Sequence, residues 1–436
     1  VVDFPKYETY KDSGVEWLGE IPSHWDVKRN LGLFDERKEV NQPNMRLLSV
    51  TIEKGVIKQS ESLTKKDSSH EDKSKYKVVR QGDLAYNKMR MWQGAIGRSN
   101  YDGIVSPAYI ILNTHNKSYS KYFHYLYRTE LFIREANRHS YGLCSDMNSL
   151  RYEDFKTIYS PVPPEKEVKE IVEFLDRKTS EIDQAIAQKQ RLIELLQEQK
   201  AILINQAVTK GLDPNVPMCD RGVEWLGEIP SHWKLVQNRR FLSKLGQGSS
   251  PAIVNSGEDE GFYVLKISAV KQGIYIDGEI KTIPRKAFVS DYQVKKGDFL
   301  MTRGNTPDLV ADICYVNVDI TENIMISDLI YRLTYDQKFL LHEFIAYFFR
   351  SSTARYQIKI CARGSSHTMV KVSQEHIKAW LILVPPLNEQ REIISYLKCK
   401  ENEFICLENQ IYKEIEKLNE LKAIFVSQAV TGKIKV

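Results

Sequence analysis

The chain has cysteines but none in a chemically useful pattern. Cys144, Cys219, Cys314, Cys361, Cys399 and Cys406 include no C-x-x-C pair, which argues against a zinc site or a redox motif. The nine histidines include no H-x-x-x-H pair. No apolar run reaches membrane-spanning length and Val1–Ser13 lacks a signal-peptide pattern, so a cytoplasmic setting without a membrane partner is expected. There is no P-loop and no Asn-Pro-Pro-Tyr motif. Gly246-Gln247-Gly248 opens like a dinucleotide fingerprint, but Pro251 stands where glycine is required. No catalytic residue and no metal ligand can be named, so any chemistry is expected to come from partners. Strong charge of one sign is lacking as well. A net charge of +5 and a pI near 8.6 are compatible with nucleic acid without demanding it.

What the chain does have is repetition. Gly14–Trp25 reads GVEWLGEIPSHW, and Gly222–Trp233 repeats all twelve letters at an offset of 208. Two tryptophans and an Ile-Pro step make a compact apolar plug with a rigid turn, expected to pack at a domain edge. His24 and His232 share one repeat position, which favours a structural role over a metal ligand.

A second repeat has an offset of 222. Val168, Val172, Leu175, Thr179, Ile182, Ile186, Lys189, Ile193, Leu196, Lys200 and Leu203 alternate spacings of four and three, and eight of the eleven are apolar. The matching set runs from Gln390 to Phe425, with seven of eleven apolar. These are coiled-coil seams. Each helix follows a proline pair, Pro163-Pro164 or Pro385-Pro386, and each closes on Gln-Ala-Val-Thr. The organisation is body, helix, body, helix, with Gly211–Pro217 as a short stiff linker.

Both bodies read as mixed. In the first, Leu47–Ile52 with Val56–Lys58 suggests a hairpin, and Tyr76–Val79 with Leu84–Tyr86 flanks a second turn at Gly82-Asp83. Ile104–Leu112 reads as a long strand, Tyr119–Asn137 as a helix and Thr157–Val162 as an exit strand. The second body echoes this with a hairpin of Phe262–Ile267 and Ile274–Ile276, a turn at Gly297-Asp298, a long run Ile324–Leu333, a helix Lys338–Ile360 and an exit strand Ala379–Val384. Pseudo-two-fold symmetry would pair the seams antiparallel and return the second helix to where the first body began. A helix of about 40 residues spans roughly 60 Å, so two similar bodies would be held at a set separation.

The paired W-L-G-E-I-P-x-H-W plugs (Trp17–Trp25, Trp225–Trp233), the V-P-P steps (Val162–Pro164, Val384–Pro386) and the K-A-I-x-x-x-Q-A-V-T helix ends (Lys200–Thr209, Lys422–Thr431) resemble the specificity subunit of type I restriction-modification enzymes. The resemblance covers essentially the whole chain. It implies an α+β fold with target recognition domains at 1–162 and 211–384 and conserved coiled-coil helical regions at 163–210 and 385–436. It further implies that each recognition domain reads one half of a bipartite, asymmetric site in double-stranded DNA. The helices would set the spacer and dock two methyltransferase subunits. S-adenosylmethionine, and ATP with Mg in a further motor-nuclease subunit, would belong to partners, with no cofactor in this chain. The alternative is a coiled-coil scaffold bridging other proteins, which gives no reason for like frameworks with unlike middles. A self-sufficient DNA methyltransferase or nuclease is opposed by the missing motifs.

Phosphates attract Lys and Arg, and base edges attract Arg, Lys, Asn, Gln, Ser and Thr. Two polar loops recur at matching places in the two bodies. In the first body they hold Asn87, Lys88, Arg90, Gln93 and Arg98, then Arg138, His139, Tyr141, Ser145 and Asn148. In the second they hold Thr302, Arg303 and Asn305, then Arg363, Ser365, Ser366 and His367. These are the expected DNA-binding residues, with solvated surface charge the alternative for any one of them. Lys65-Lys66 and Arg285-Lys286 are weaker candidates.

Overall fold

The computed structural model describes residues 4–61, 73–142, 148–251, 261–366 and 369–436, with side chains omitted for 363–366. The chain divides into two compact units. Unit one comprises Val1–Lys189 with Tyr412–Val436, and unit two comprises Gln190–Ile411. Each unit therefore holds a body together with part of each long helix, Glu165–Lys210 and Leu387–Val430.

In unit one the plug folds as a ribbon of Tyr10–Asp12 on Glu20–Pro22. The strand after it, Asp26–Arg29, pairs antiparallel with the exit strand Tyr159–Val162. This ties the start of the body to the start of the helix. Between them lies a four-stranded sheet in the order 34–36, 109–114, 84–87, 96–98. Helices Ser120–Leu126 and Glu130–Arg138 contribute Tyr122, Phe123 and Phe132 to one core with Trp25 and Phe155. Ala429, Val430 and Ile434 complete that core, and the Tyr122 hydroxyl donates to the Val430 carbonyl at 2.7 Å. The second helix thus ends where the first body begins, as expected.

Unit two repeats the frame. Met218–Asp220 pairs with Glu228–Pro230, and Lys234–Gln237 pairs with Leu381–Val384. A six-stranded sheet in the order 242–247, 330–335, 299–302, 313–315, 273–275, 270–271 fills the middle. Helices His342–Arg350 and Ser352–Cys361 cover it with Phe344, Phe348 and Ile358. The end of the first long helix, Ile204, Ala207 and Val208, joins the same core beside Trp233.

A carboxylate in the first turn of each long helix locks the plug. In unit one the Trp25 indole donates to Glu167 Oε2 at 2.9 Å, His24 Nε2 lies 2.6 Å from Oε1, and the Tyr7 hydroxyl donates at 3.1 Å. In unit two Trp233 donates to Glu389 at 2.8 Å and His232 lies 2.7 Å away. The two histidines therefore have the structural role expected from their repeat position. A carboxylate at a helix N-terminus also meets the positive end of the helix dipole.

Every one of the eleven seam positions in each helix is buried or half-buried, and none is exposed. Within unit one the helices run antiparallel, with Phe174 against Phe425, Lys422 bonded to Asp183 and Lys189 paired with Glu414. Within unit two Lys200 lies 3.4 Å from Glu401, which also accepts from Tyr347 and Arg350 at 2.7 Å. Glu401 is held below its usual value: burial pushes it up, but Arg350, Tyr347 and Lys200 outweigh that. The charged seam residues Lys189, Lys200, Glu401 and Lys422 are therefore paired rather than misplaced. The fold is α+β with two long antiparallel coiled-coil helices.

Several local expectations need correction. The Leu48–Thr51 and Gly55–Lys58 hairpin forms, but Lys77–Val79 and Leu84–Asn87 do not pair with each other. They pair with 103–105 and 109–114, while the buried Asp83 carboxylate takes the Arg80 amide within the turn. The long run 104–112 splits at Pro107, which lacks the N–H that a continuous ladder needs. The run 324–333 splits likewise at a turn closed from Ile330 to Ser327. Each expected long body helix is two helices. Thr129 and Ser351 start the second of each pair by accepting the amide of Phe132 or Ala354. Phe262–Leu265 pairs with 280–282 and 323–325, not with Gly273–Tyr275.

Replacing Glu167 or Glu389 with alanine leaves a buried indole N–H unpaired, and each change should cost about 1–3 kcal/mol near neutral pH, read by thermal or urea melting. Burial pushes Glu167 up, but hydrogen bonds from Trp25, His24 and Tyr7 prevail and hold it below its ordinary 4.5. Its ionised form is therefore favoured by folding. That stability is present above 4.5 and drains away as pH falls through the lower folded value. The Glu167→Ala penalty should shrink accordingly in acid.

Candidate nucleic-acid interface

The two polar loops of each unit are joined by backbone hydrogen bonds. In unit one Leu150 N donates to the Lys88 carbonyl at 2.9 Å, and Tyr141 and Ser149 exchange bonds at 3.2 and 3.0 Å. In unit two Val372 N donates to the Arg303 carbonyl at 2.9 Å, and Arg363 stands opposite Lys371 in an antiparallel ribbon. The ribbon Arg363–Ser366 and Met369–Lys371 is extended by Gly304-Asn305 into a three-stranded sheet of its own. Tyr141 matches Arg363, and Ser149 matches Lys371, at the offset of the long helices. Lys88 matches Arg303 at the offset that relates the Gly82-Asp83 and Gly297-Asp298 turns.

One helix position holds the first loop in both units. In unit one Ile133 packs on Gly94, where a Cβ would lie 2.7 Å from Ile133 Cδ1. At the matching position in unit two Arg355 donates to the carbonyls of Val310 at 2.6 Å and Asp308 at 2.9 Å, while Lys359 pairs with Asp308 at 2.7 Å. Burial lowers the Arg355 pKa despite Asp312 and Asp308 nearby, as expected of a guanidinium committed to shaping a loop. The same site is filled by packing in one unit and by hydrogen bonds in the other.

The structure sorts the candidates. Lys88, Arg90 and Arg303 have no acidic partner among the described residues. Arg90 and Gln93 are exposed, and Tyr141 is 69% exposed. Asn87 and Asn305 spend an oxygen on the amides of Met89 and Thr306. Arg138 pairs with Glu16 at 2.9 Å and Glu135 at 3.6 Å, His139 bonds the Glu135 carbonyl, and Asn148 donates to Asn137. The Arg138 pair is exposed and worth little, so it leaves the guanidinium available. Arg363, Ser365 and Ser366 lie on the ribbon backbone. Ser145, His367 and Lys65-Lys66 fall outside the described residues.

Two candidates are corrected. Thr302 is fully buried; its hydroxyl accepts from the Asp312 amide at 2.9 Å and donates to the Leu309 carbonyl at 3.3 Å. It closes the base of the loop and cannot reach a ligand. Arg98 lies opposite Leu84, at the far end of the strand that delivers Asn87, roughly 10 Å away at about 3.3 Å per residue. It bonds Asn100 there at 2.8 Å. Lys371, exposed on the ribbon, and Arg151, exposed beside Leu150, were not singled out from sequence. The offset of 222 from Ser149 would have found Lys371. Among the described residues no three His, Cys, Asp or Glu side chains form a group that could hold a metal ion.

A family model described as the type I restriction modification DNA specificity domain matches residues 250–417. The chain is 24% identical over 330 residues to the EcoKI type I specificity subunit of Escherichia coli K12, covering 74% of this chain and 68% of that one. It is 22% identical over 467 residues to the MjaX specificity subunit, itself named as putative, of Methanocaldococcus jannaschii, covering 100% and 99%. Along its length the chain is thus similar to proteins named type I specificity subunits. A solved structure from work on complex assembly and conformational transition of the type I R-M system superimposes with a TM-score of 0.66 at 15% identity, over 94% of this chain and 98% of that one. That likeness concerns the fold.

Replacing Lys88 and Arg90 together with alanine should weaken duplex binding by this chain and flatten its salt dependence. The slope of log affinity against log salt should fall by about 0.9 for each phosphate that is no longer neutralised. Arg98→Ala should leave the slope unchanged. Fluorescence anisotropy across a salt series reads both.

Proposed function

We propose that each unit reads one half of a bipartite, asymmetric site in double-stranded DNA. The joined polar loops carry this reading: one backbone scaffold occurs twice, and it presents Lys88, Tyr141 and Ser149 in unit one but Arg303, Arg363 and Lys371 in unit two. Like scaffolds with unlike side chains suit like docking on unlike sequences. The two long helices set the spacer and dock two methyltransferase subunits. Exposed Leu192, Leu195 and Ile202 on the first helix, and Ile405, Leu407 and Ile424 on the second, fit a helical surface that partners cover. S-adenosylmethionine is bound by the methyltransferase subunits, and ATP with Mg by a motor-nuclease subunit where the system carries one. The complex works in the cytoplasm, in keeping with the lack of any described helix long and apolar enough to cross a membrane.

Mapping methylated adenines after reconstitution with the methyltransferase subunits should return two unlike short sequences at a fixed spacing. A continuous, symmetric or absent motif would overturn the proposal. Arg303→Ala with Arg363→Ala should weaken cognate binding at least tenfold; unchanged affinity would remove these loops from the reading.

A further inference from the structure

The matched ribbons allow a statement about which bases are read. The major groove admits a two-stranded ribbon, and guanine presents two acceptors there, N7 and O6, which Arg or Lys can bond. In unit two, register places Arg363 directly opposite Lys371. The Lys371 stem crosses Gly304 closely: a Cβ at Gly304 would lie 3.2 Å from Lys371 Cγ. The loop glycine therefore makes room for a long cationic side chain on an exposed strand. Arg303 lies beside it, bonded through its carbonyl to Val372. In unit one the equivalent register pair is Tyr141 and Ser149, and Met89 replaces the glycine. That pair has no cation, and its most exposed member, Tyr141, offers an aromatic face.

Resting on the half-site reading above, we propose that Arg363 and Lys371 read a guanine in the half-site of unit two, and that unit one makes no such contact at the equivalent position. The half-sites are unlike because one register pair has exchanged its chemistry while keeping its backbone bridge.

The test uses the complete complex with its methyltransferase subunits and methylation mapping across a genome. Arg363→Ala with Lys371→Ala should relax one G·C position in one half-site, with guanine preference there falling roughly 10- to 100-fold. The other half-site should keep its sequence. Tyr141→Ala should leave that G·C position intact. A uniform loss of methylation with every base preserved would make these residues phosphate contacts and overturn the proposal. So would an unchanged motif, or a wild-type motif with no fixed G·C pair in either half. If the double variant does not assemble, Lys371→Ala alone is read in the same way. A wild-type complex that methylates no bipartite motif would instead overturn the half-site reading itself.

Discussion

Everything in this chain is registered against one hydrogen-bonded carboxylate, used twice. Glu167 and Glu389 sit in the first turns of the long helices and receive the indole N–H groups of Trp25 and Trp233. The plug cannot turn on the helix without stranding a buried donor, which costs far more than a made bond contributes. The neighbouring strand pairings, Asp26–Arg29 on Tyr159–Val162 and Lys234–Gln237 on Leu381–Val384, fix the same junction through the backbone. A second buried anchor repeats as well. Asn30 donates to the Phe155 carbonyl and Asn238 to that of Ile377. Body and helix are thus joined by the same contacts in both units, whatever lies between the ends of the body.

This explains why the ends were legible in the sequence and the middles were not. Twelve repeated letters and a 4-3 spacing are long-range signals, and the repeated His and Trp meet a first-turn glutamate in both units. The strand pairings of the middle are set elsewhere. The Gly82-Asp83 turn was legible, but the Asp83 carboxylate bonds Arg37 and the Arg80 amide, and the flanking strands leave for different partners. Nothing within a few residues of position 83 encodes that choice. The helix breaks at Thr129 and Ser351 were encoded locally, as cap residues inside an amphipathic run, but the amphipathic pattern continues across them and hides them.

The candidate site was legible as two loops and illegible as one surface. Polar composition marked residues 87–98 and 138–148, and their counterparts, without showing that Leu150 bonds Lys88 or that Val372 bonds Arg303. Composition also failed at Thr302, where a hydroxyl that looks ready for a base edge is spent on the loop's own backbone. Arg98 failed for a different reason: closeness in sequence to Lys88 is distance along an extended strand.

The loop scaffold and the side chains it displays are held by different bonds, and this separation lets one fold carry two specificities. The ladder that places Tyr141 opposite Ser149 and Arg363 opposite Lys371 uses main-chain N–H and C=O groups alone. It therefore places no demand on side-chain identity. The supporting position is equally permissive. Ile133 holds its loop by contact with Gly94, and Arg355 holds the equivalent loop by two carbonyl bonds. A display surface whose geometry is independent of its chemistry can change what it contacts without changing where it stands. The invariant junction at Glu167 and Glu389 then carries that fixed position back to the helices.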